Sequence, residues 1–294
     1  MRILRISKVR TFLVGIMLMT SLLCRCSQVQ AEQEGDYTYT VTTGEAQITG
    51  YTGAGGVVTM PGALDGFPVT SIGDNAFFQC TGLTGISIPQ GVTSIGIGAF
   101  SGCSSLTSIS IPQGVTSIGL LAFDSCTSLT SISIPQGITS IGDEAFVGCA
   151  GLTSINIPQG VTSIGDYIFF QCTGLTNISI PQSVTSIGNE AFDGCSGLTS
   201  LSIPQGVIKI GDGAFAGCLG LTTITINSAT TTLENSADII PAATTIIGYD
   251  PSTAKDYATK YNRKFDVIST ANDVTGTGVA ATLITYTQSI IKCP

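Results

Sequence analysis

From residue 69 to residue 226 the chain repeats one order of apolar and polar positions, L-x-x-I-x-I-P-Q-G-V-T-S-I-G-x-x-A-F-x-x-C. Cys80, Cys103, Cys126, Cys149, Cys172, Cys195 and Cys218 stand 23 residues apart, so no unit carries an insertion or deletion. Phe77, Phe100, Phe123, Phe146, Phe169, Phe192 and Phe215 keep step three residues earlier, and leucines from Leu83 to Leu221 three residues later. Within one unit Ile132, Ser133 and Ile134 alternate as a strand does, and Pro135, with no N–H for a ladder, ends it. Gln136 and Gly137 turn the chain, Ile138 and Ile141 point inward again, and Gly142 stands where a tight turn calls for positive φ. Ala145, Phe146 and Cys149 then fall at helical spacing, which predicts a short helical or 3-10 turn over 143–149. A lone coil buries too little apolar surface to offset its ordering, whereas stacking closes each core against the next and pairs the strands in parallel. The pattern predicts an α/β solenoid of 23-residue coils with one parallel β-sheet, short helical or 3-10 turns, and altered units capping both ends.

The recurring cysteine reads as a small apolar side chain in a narrow corner, carrying a weak S–H donor. Seven is an odd number for pairing, and neighbours at strand spacing hold their Cβ atoms too far apart for a disulfide. A metal ladder has no histidine and no C-x-x-C pair to build from, so no metal or other cofactor is expected.

The motifs L-x-x-I-x-I-P, V-T-S-I-G and A-F-x-x-C, repeated seven times over 69–226, resemble the BspA-like branch of leucine-rich repeats. That resemblance implies a leucine-rich repeat fold and a secreted or surface-displayed protein that adheres to an extracellular or host-surface protein, or to a glycan. Gly137 and its equivalents stand where the general leucine-rich motif often has asparagine or cysteine, so an asparagine ladder does not follow from it.

The ends depart from the period. Arg2, Arg5, Lys8 and Arg10 precede an apolar run from Thr11 to Leu23, and Val29, Gln30, Ala31 follow, the layout of a signal peptide over 1–31 cleaved before Glu32. The run is too short for a membrane anchor, and Leu23 before Cys24 and Arg25 before Cys26 are bulky where lipidation needs a small residue. Residues 37–51 alternate about Thr43 and Gly44 as a hairpin, and Val58, Met60 and Pro61 imitate an I-x-I-P strand, so 32–68 reads as an N-terminal β-hairpin cap. At the other end Asn227 replaces the proline. Ser252 or Thr253 can cap a helix bearing Ala254, Tyr257, Ala258 and Tyr261 on one face, and Phe265, Val267 and Ile268 form a last strand. Residues 227–269 are therefore expected to form a C-terminal cap with a short helix and strand. The segment 270–294 has no assigned role, and Cys293 within it reads as an unpaired thiol.

Charged residues make up only 10% of the 294 and the net charge is −8, so nothing basic is available to track nucleic-acid phosphates. With no histidine, Ser-His and Cys-His nucleophile pairs are excluded. Paired carboxylates remain, and a carbohydrate-active solenoid enzyme with carboxylates in its groove is the alternative function. However, Asp124, Asp143, Glu144, Asp166, Glu190, Asp193 and Asp212 all fall in the variable turn segments, where solubility accounts for them. The expected reading is a non-catalytic binding protein that uses the outward strand positions. Candidate ligand-binding residues are Thr107, Ser108 and Ser110; Thr130, Ser131 and Ser133; Thr153, Ser154 and Asn156; Thr176, Asn177 and Ser179. Thr199, Ser200 and Ser202, with Thr222, Thr223 and Thr225, continue the array.

Overall fold

A computed structural model describes residues 31–268 as a β-solenoid. The expected leader, residues 270–294 and Cys293 lie outside the described residues. The I-x-I-P segments pair as parallel strands in register along one side, in a series of three successive ladders, with Ile109 between Ile86 and Ile132, and Ile155 beside Ile178. Leu201, Ile224 and Ile246 carry that series on toward the C-terminus.

The expectation of a single parallel sheet is corrected, because the T-S-I-G segments pair as well. Ile48, Ile72, Ile95, Ile118 and Ile141 follow one another in a second parallel series, as do Ile164, Ile187, Ile210 and Leu233. These strands are only two residues long in most coils, too short to show an alternation in the sequence.

The α/β reading and its helical or 3-10 turns are corrected too, since the A-F-x-x-C segments form no helix. In each coil two residues four apart take a left-handed conformation, Asn75 and Gln79 in one coil, Leu121 and Ser125 in another. The amides between them bond alternately. Ala76, Phe78 and Cys80 donate three residues back within the coil, whereas Asn75, Phe77 and Gln79 donate to Ile97, Ala99 and Ser101 of the next. This third side is thus also tied coil to coil, and the spacing of three or four that looks helical comes from the turn period. Among the described residues, helix is confined to a 3-10 turn at Ala237–Ile239 and an α-helix at Thr253–Lys260. Ser252 caps that α-helix by accepting from the Lys255 amide, and Ala254, Tyr257 and Ala258 are buried beneath it.

The glycine after each T-S-I serves close approach rather than positive φ. A Cβ on Gly142 would meet the backbone nitrogen of Leu120 at 2.4 Å, so any side chain there would push two coils apart. The core is a set of ladders. Phe77 to Phe215 are fully buried and stack with ring centroids 5.1 Å apart at Phe77–Phe100 and 5.6 Å at Phe146–Phe169. Tyr51 extends the stack at the N-terminal end, 5.2 Å from Phe77. Before it, Tyr37–Thr42 and Glu45–Tyr51 make the expected antiparallel hairpin through Thr43 and Gly44, both at positive φ. Val58 lies beside Ile86 in the first sheet, as the imitation of an I-x-I-P strand implies.

Among the described residues the seven repeat cysteines, Cys80 to Cys218, are free, and all but the first are buried. Each buried thiol donates to the carbonyl of a phenylalanine 26 residues earlier, Cys103 Sγ to Phe77 O at 3.1 Å and Cys126 Sγ to Phe100 O at 3.2 Å. Cysteine therefore supplies apolar bulk and one hydrogen bond in the same corner. Burial pushes the Cys103 and Cys172 thiols up to about 12 from an ordinary 9.0. Below pH 9 the thiols are protonated in both folded and unfolded chains. Above it the unfolded chain ionises first, and stability falls by up to about 1.4 kcal/mol per pH unit for each such thiol. The melting temperature should hold steady below pH 9 and drop between pH 9 and 12, with a shallower drop for Cys103→Ala. In a native thiol titration Cys80 should react ahead of the six buried ladder thiols, which react only on denaturation.

Candidate strand-face binding site

In each I-x-I-P strand the isoleucines turn inward, leaving the flanking positions to solvent. The candidate residues divide into two groups there. Thr107, Thr130 and Thr176 turn their hydroxyls onto the preceding coil, donating to the carbonyls of Thr84, Thr107 and Thr153 at 3.0, 3.0 and 3.1 Å. Thr153 does the same at 3.4 Å, and Thr222 at 2.9 Å. The hydroxyl hydrogens of these exposed threonines are engaged between coils, which leaves their oxygens as acceptors toward solvent.

The serines and asparagines keep their capacity, except that Ser202 Oγ accepts from Asn227 Nδ2 at 2.9 Å. Ser108, Ser131, Ser154, Asn177 and Ser200 form one outward row, and Ser110, Ser133, Asn156, Ser179 and Ser202 another, with the buried Ile109 to Leu201 between them. All are exposed, and none carries a charge. A third row was missed in the sequence. Gln90, Gln113, Gln136, Gln159, Gln182 and Gln205, each following its proline, are all exposed beside the strand ends. The repeated P-Q pair was the available signal, hidden by its reading as turn chemistry.

The face is not uniform along its length. The strands Asn177–Ser179 and Ser200–Ile203 carry no ladder between them, nor do Ser131–Ser133 and Ser154–Asn156, and at the first of these two breaks the face opens into a concavity of about 470 Å³. Ile178 and Leu201 floor it, Asn177, Ser179, Ser200 and Ser202 wall it, and Gln182, Thr223 and Thr225 stand at its rim. Asn156 and Asn177 lie diagonally on adjacent coils beside it, the two amides in rows otherwise made of hydroxyls. Amides and hydroxyls on a shallow neutral floor suit hydrogen bonding to a peptide backbone or to sugar hydroxyls, and provide no acid–base pair.

No carboxylate lines the concavity. The turn-side acids have structural partners instead. Asp143 Oδ1 accepts the Asp166 amide at 3.1 Å, Asp166 Oδ1 the Asn189 amide at 2.7 Å, and Asn189 Oδ1 the Asp212 amide at 3.0 Å. Glu190 accepts the Tyr167 hydroxyl at 3.1 Å, and Asp124 accepts Ser101 and Ser125 at 3.0 Å each. Burial, and then the neighbouring Glu190, raise the Asp193 carboxyl above its ordinary range. Among the described residues no three Asp, Glu or Cys gather closely enough to hold a metal, and no helix is long and apolar enough to cross a membrane.

The profile of the BspA type leucine rich repeat region matches in six copies, over residues 67–175 and 162–237. The chain belongs to the BspA-type leucine-rich repeat family. A leucine rich repeat protein of T. pallidum is 33% identical, with a TM-score of 0.61 over 65% of this chain and 91% of that one. A leucine-rich repeat protein from Bacteroides ovatus is 26% identical at a TM-score of 0.44, covering 81% of this chain and 76% of that one. A leucine rich cell surface protein from Faecalibacterium prausnitzii is 22% identical at 0.36, covering 86% of this chain and all of the other. No curated protein matches. BspA-type leucine-rich repeats are a bacterial, surface-associated family of repeat-based binding proteins, and catalysis is not a general property of it.

The division of the array makes opposite predictions for neighbouring hydroxyls. Thr130→Val should cost about 0.5–1 kcal/mol in urea denaturation, at the low end because the Thr130 amide also bonds the Thr107 carbonyl. Ser131→Ala and Ser133→Ala, which break no bond within the protein, should leave the midpoint unchanged. Asp166→Asn, which keeps an acceptor for the Asn189 amide, should be neutral, and Asp166→Ala should cost about 1 kcal/mol.

Proposed function

We propose that the chain is a secreted or cell-surface, non-catalytic binding protein whose Ser/Asn/Gln strand face takes an extended ligand, a protein strand or a glycan. The observation that carries this reading is the pair of neutral rows from Ser108 to Ser202, held in register and opening into the concavity at Asn177, Ser179, Ser200 and Ser202. In this reading 1–31 is a cleaved signal peptide and 69–226 the binding repeats. The hairpin segment 32–68 and the helix and strand of 227–269 cap the stack against end-to-end association.

Fixed rows of short polar side chains lose little entropy on binding, and each contributes weakly, so affinity accumulates along the ligand. Residues 32–294 should give saturable binding on an array of glycans and matrix proteins. Against the ligand so found, removing one 23-residue unit at a time should weaken binding in steps, and Ser131→Ala with Ser133→Ala should lower affinity less than about threefold. Replacing Asn177, Gln182 and Ser200 together by alanine should lower it about tenfold. Abolition of all binding or of a measurable turnover by Asp166→Asn alone, with the fold intact, would replace the distributed face with a discrete site elsewhere.

A further inference from the structure

The turn side holds a row in which stability and sequence disagree. Asp74, Ile97, Leu120, Asp143, Asp166, Asn189 and Asp212 occupy one position in successive coils. Where this residue is Asp or Asn, its side chain accepts the amide of the same position one coil later, at Ile97, Asp166, Asn189 and Asp212. Ile97 and Leu120 have no acceptor to offer, so the amides of Leu120 and Asp143 are denied the bond that their equivalents receive. Both apolar side chains stand in solvent, 46% and 36% exposed, and Phe78 on the same side is 50% exposed. Beside Leu120, Leu121 takes a left-handed conformation with φ of 56°, as do its equivalents Asn75, Gly98, Glu144, Tyr167, Glu190 and Gly213. An apolar residue is poorly suited to that conformation. Two choices that give up a bond between coils, Ile97 and Leu120, thus fall in adjoining coils of a row whose other members supply the acceptor.

The surroundings are of one sign. Asp124, Asp143 and Glu144 lie in the same or the next coil, and Asp166 follows one coil on. No lysine or arginine occurs between Arg25 and Lys209, and Lys209 is taken by Glu234 at 2.8 Å. An apolar patch bordered by uncompensated carboxylates complements an apolar side chain bordered by cations. We propose that the turn side around Ile97, Leu120 and Leu121 docks a partner-protein segment that carries apolar side chains flanked by lysine or arginine, independently of the strand face.

The substitutions Ile97→Asn and Leu120→Asn make the test, because Asn189 already fills the equivalent position and accepts the next amide. The double variant keeps the net charge and restores the missing acceptors, so its melting temperature should equal or exceed that of the parent chain. The probe is a fluorescent peptide of alternating lysine and leucine, with a lysine–serine peptide of the same length as control, read by anisotropy. The parent chain should bind the lysine–leucine peptide saturably, the double variant about tenfold more weakly, and the lysine–serine control weakly to both. Ser179→Ala with Ser200→Ala should leave this binding unchanged. The proposal is overturned if the double variant binds as the parent does, or if the lysine–serine peptide binds equally well. It is also overturned if the parent chain self-associates through these residues, which would give the patch to a second copy of the chain.

Discussion

Backbone hydrogen bonds tie most successive coils of this protein together on three sides, and that demands coils of equal length. On the strand sides bonds run both ways, backward from the Thr130 amide to the Thr107 carbonyl and forward from the Ile111 amide to the Ser133 carbonyl, and on the turn side they run forward, as from the Phe123 amide to the Ala145 carbonyl. One inserted residue could be absorbed on one side only by breaking the register on another. The period of 23 is therefore a mechanical requirement, and it dictates composition. Identical residues come to lie about 4.8 Å apart along each row, so a repeated charge would meet its own kind at every step. Neutral polar residues avoid this, which explains a surface of Ser, Thr, Gln and Gly with charged residues at only 10%. Carboxylates do follow one another at Asp143 and Asp166, but there each accepts a backbone amide that offsets part of the repulsion.

The sequence disclosed what translation preserves. The burial of the isoleucines, phenylalanines and cysteines, the hairpin about Thr43 and Gly44, and the capped helix at Ser252 follow from period, alternation and end signals within a few residues of one another. It hid what depends on contacts 23 residues away. The second sheet rests on pairs such as Ser117 and Ile118, whose order shows no alternation, and it exists only because Ser94 and Ile95 lie alongside. The turn segment has apolar spacing compatible with a helix, and only the forward bonds from alternate amides to the next coil distinguish it. The strand-face candidates looked equivalent in the one-dimensional pattern. Thr130 differs from Ser131 because its side chain reaches a carbonyl of the preceding coil, a partner that no local window contains.

Repetition also limits what such a scaffold can recognise. Where the coils repeat faithfully, each extends the next and hydroxyls such as that of Thr176 are drawn into the stack, leaving a face with many weak, equal contacts and no preferred position along it. Position enters only through departures. The strand face acquires a place of its own where it opens into the concavity walled by Ser179, Ser200 and Ser202 and where Asn177 interrupts a row of serines. The turn side acquires one where Ile97 and Leu120 interrupt a row of Asp and Asn acceptors. In both cases bonding between coils is given up locally while the phenylalanine stack beneath runs on, from Phe77 through Phe100 and Phe123 and from Phe169 through Phe192. The buried ladders hold the coils together whether or not a given surface row is complete, so surface rows can be broken for recognition at a cost confined to a coil or two.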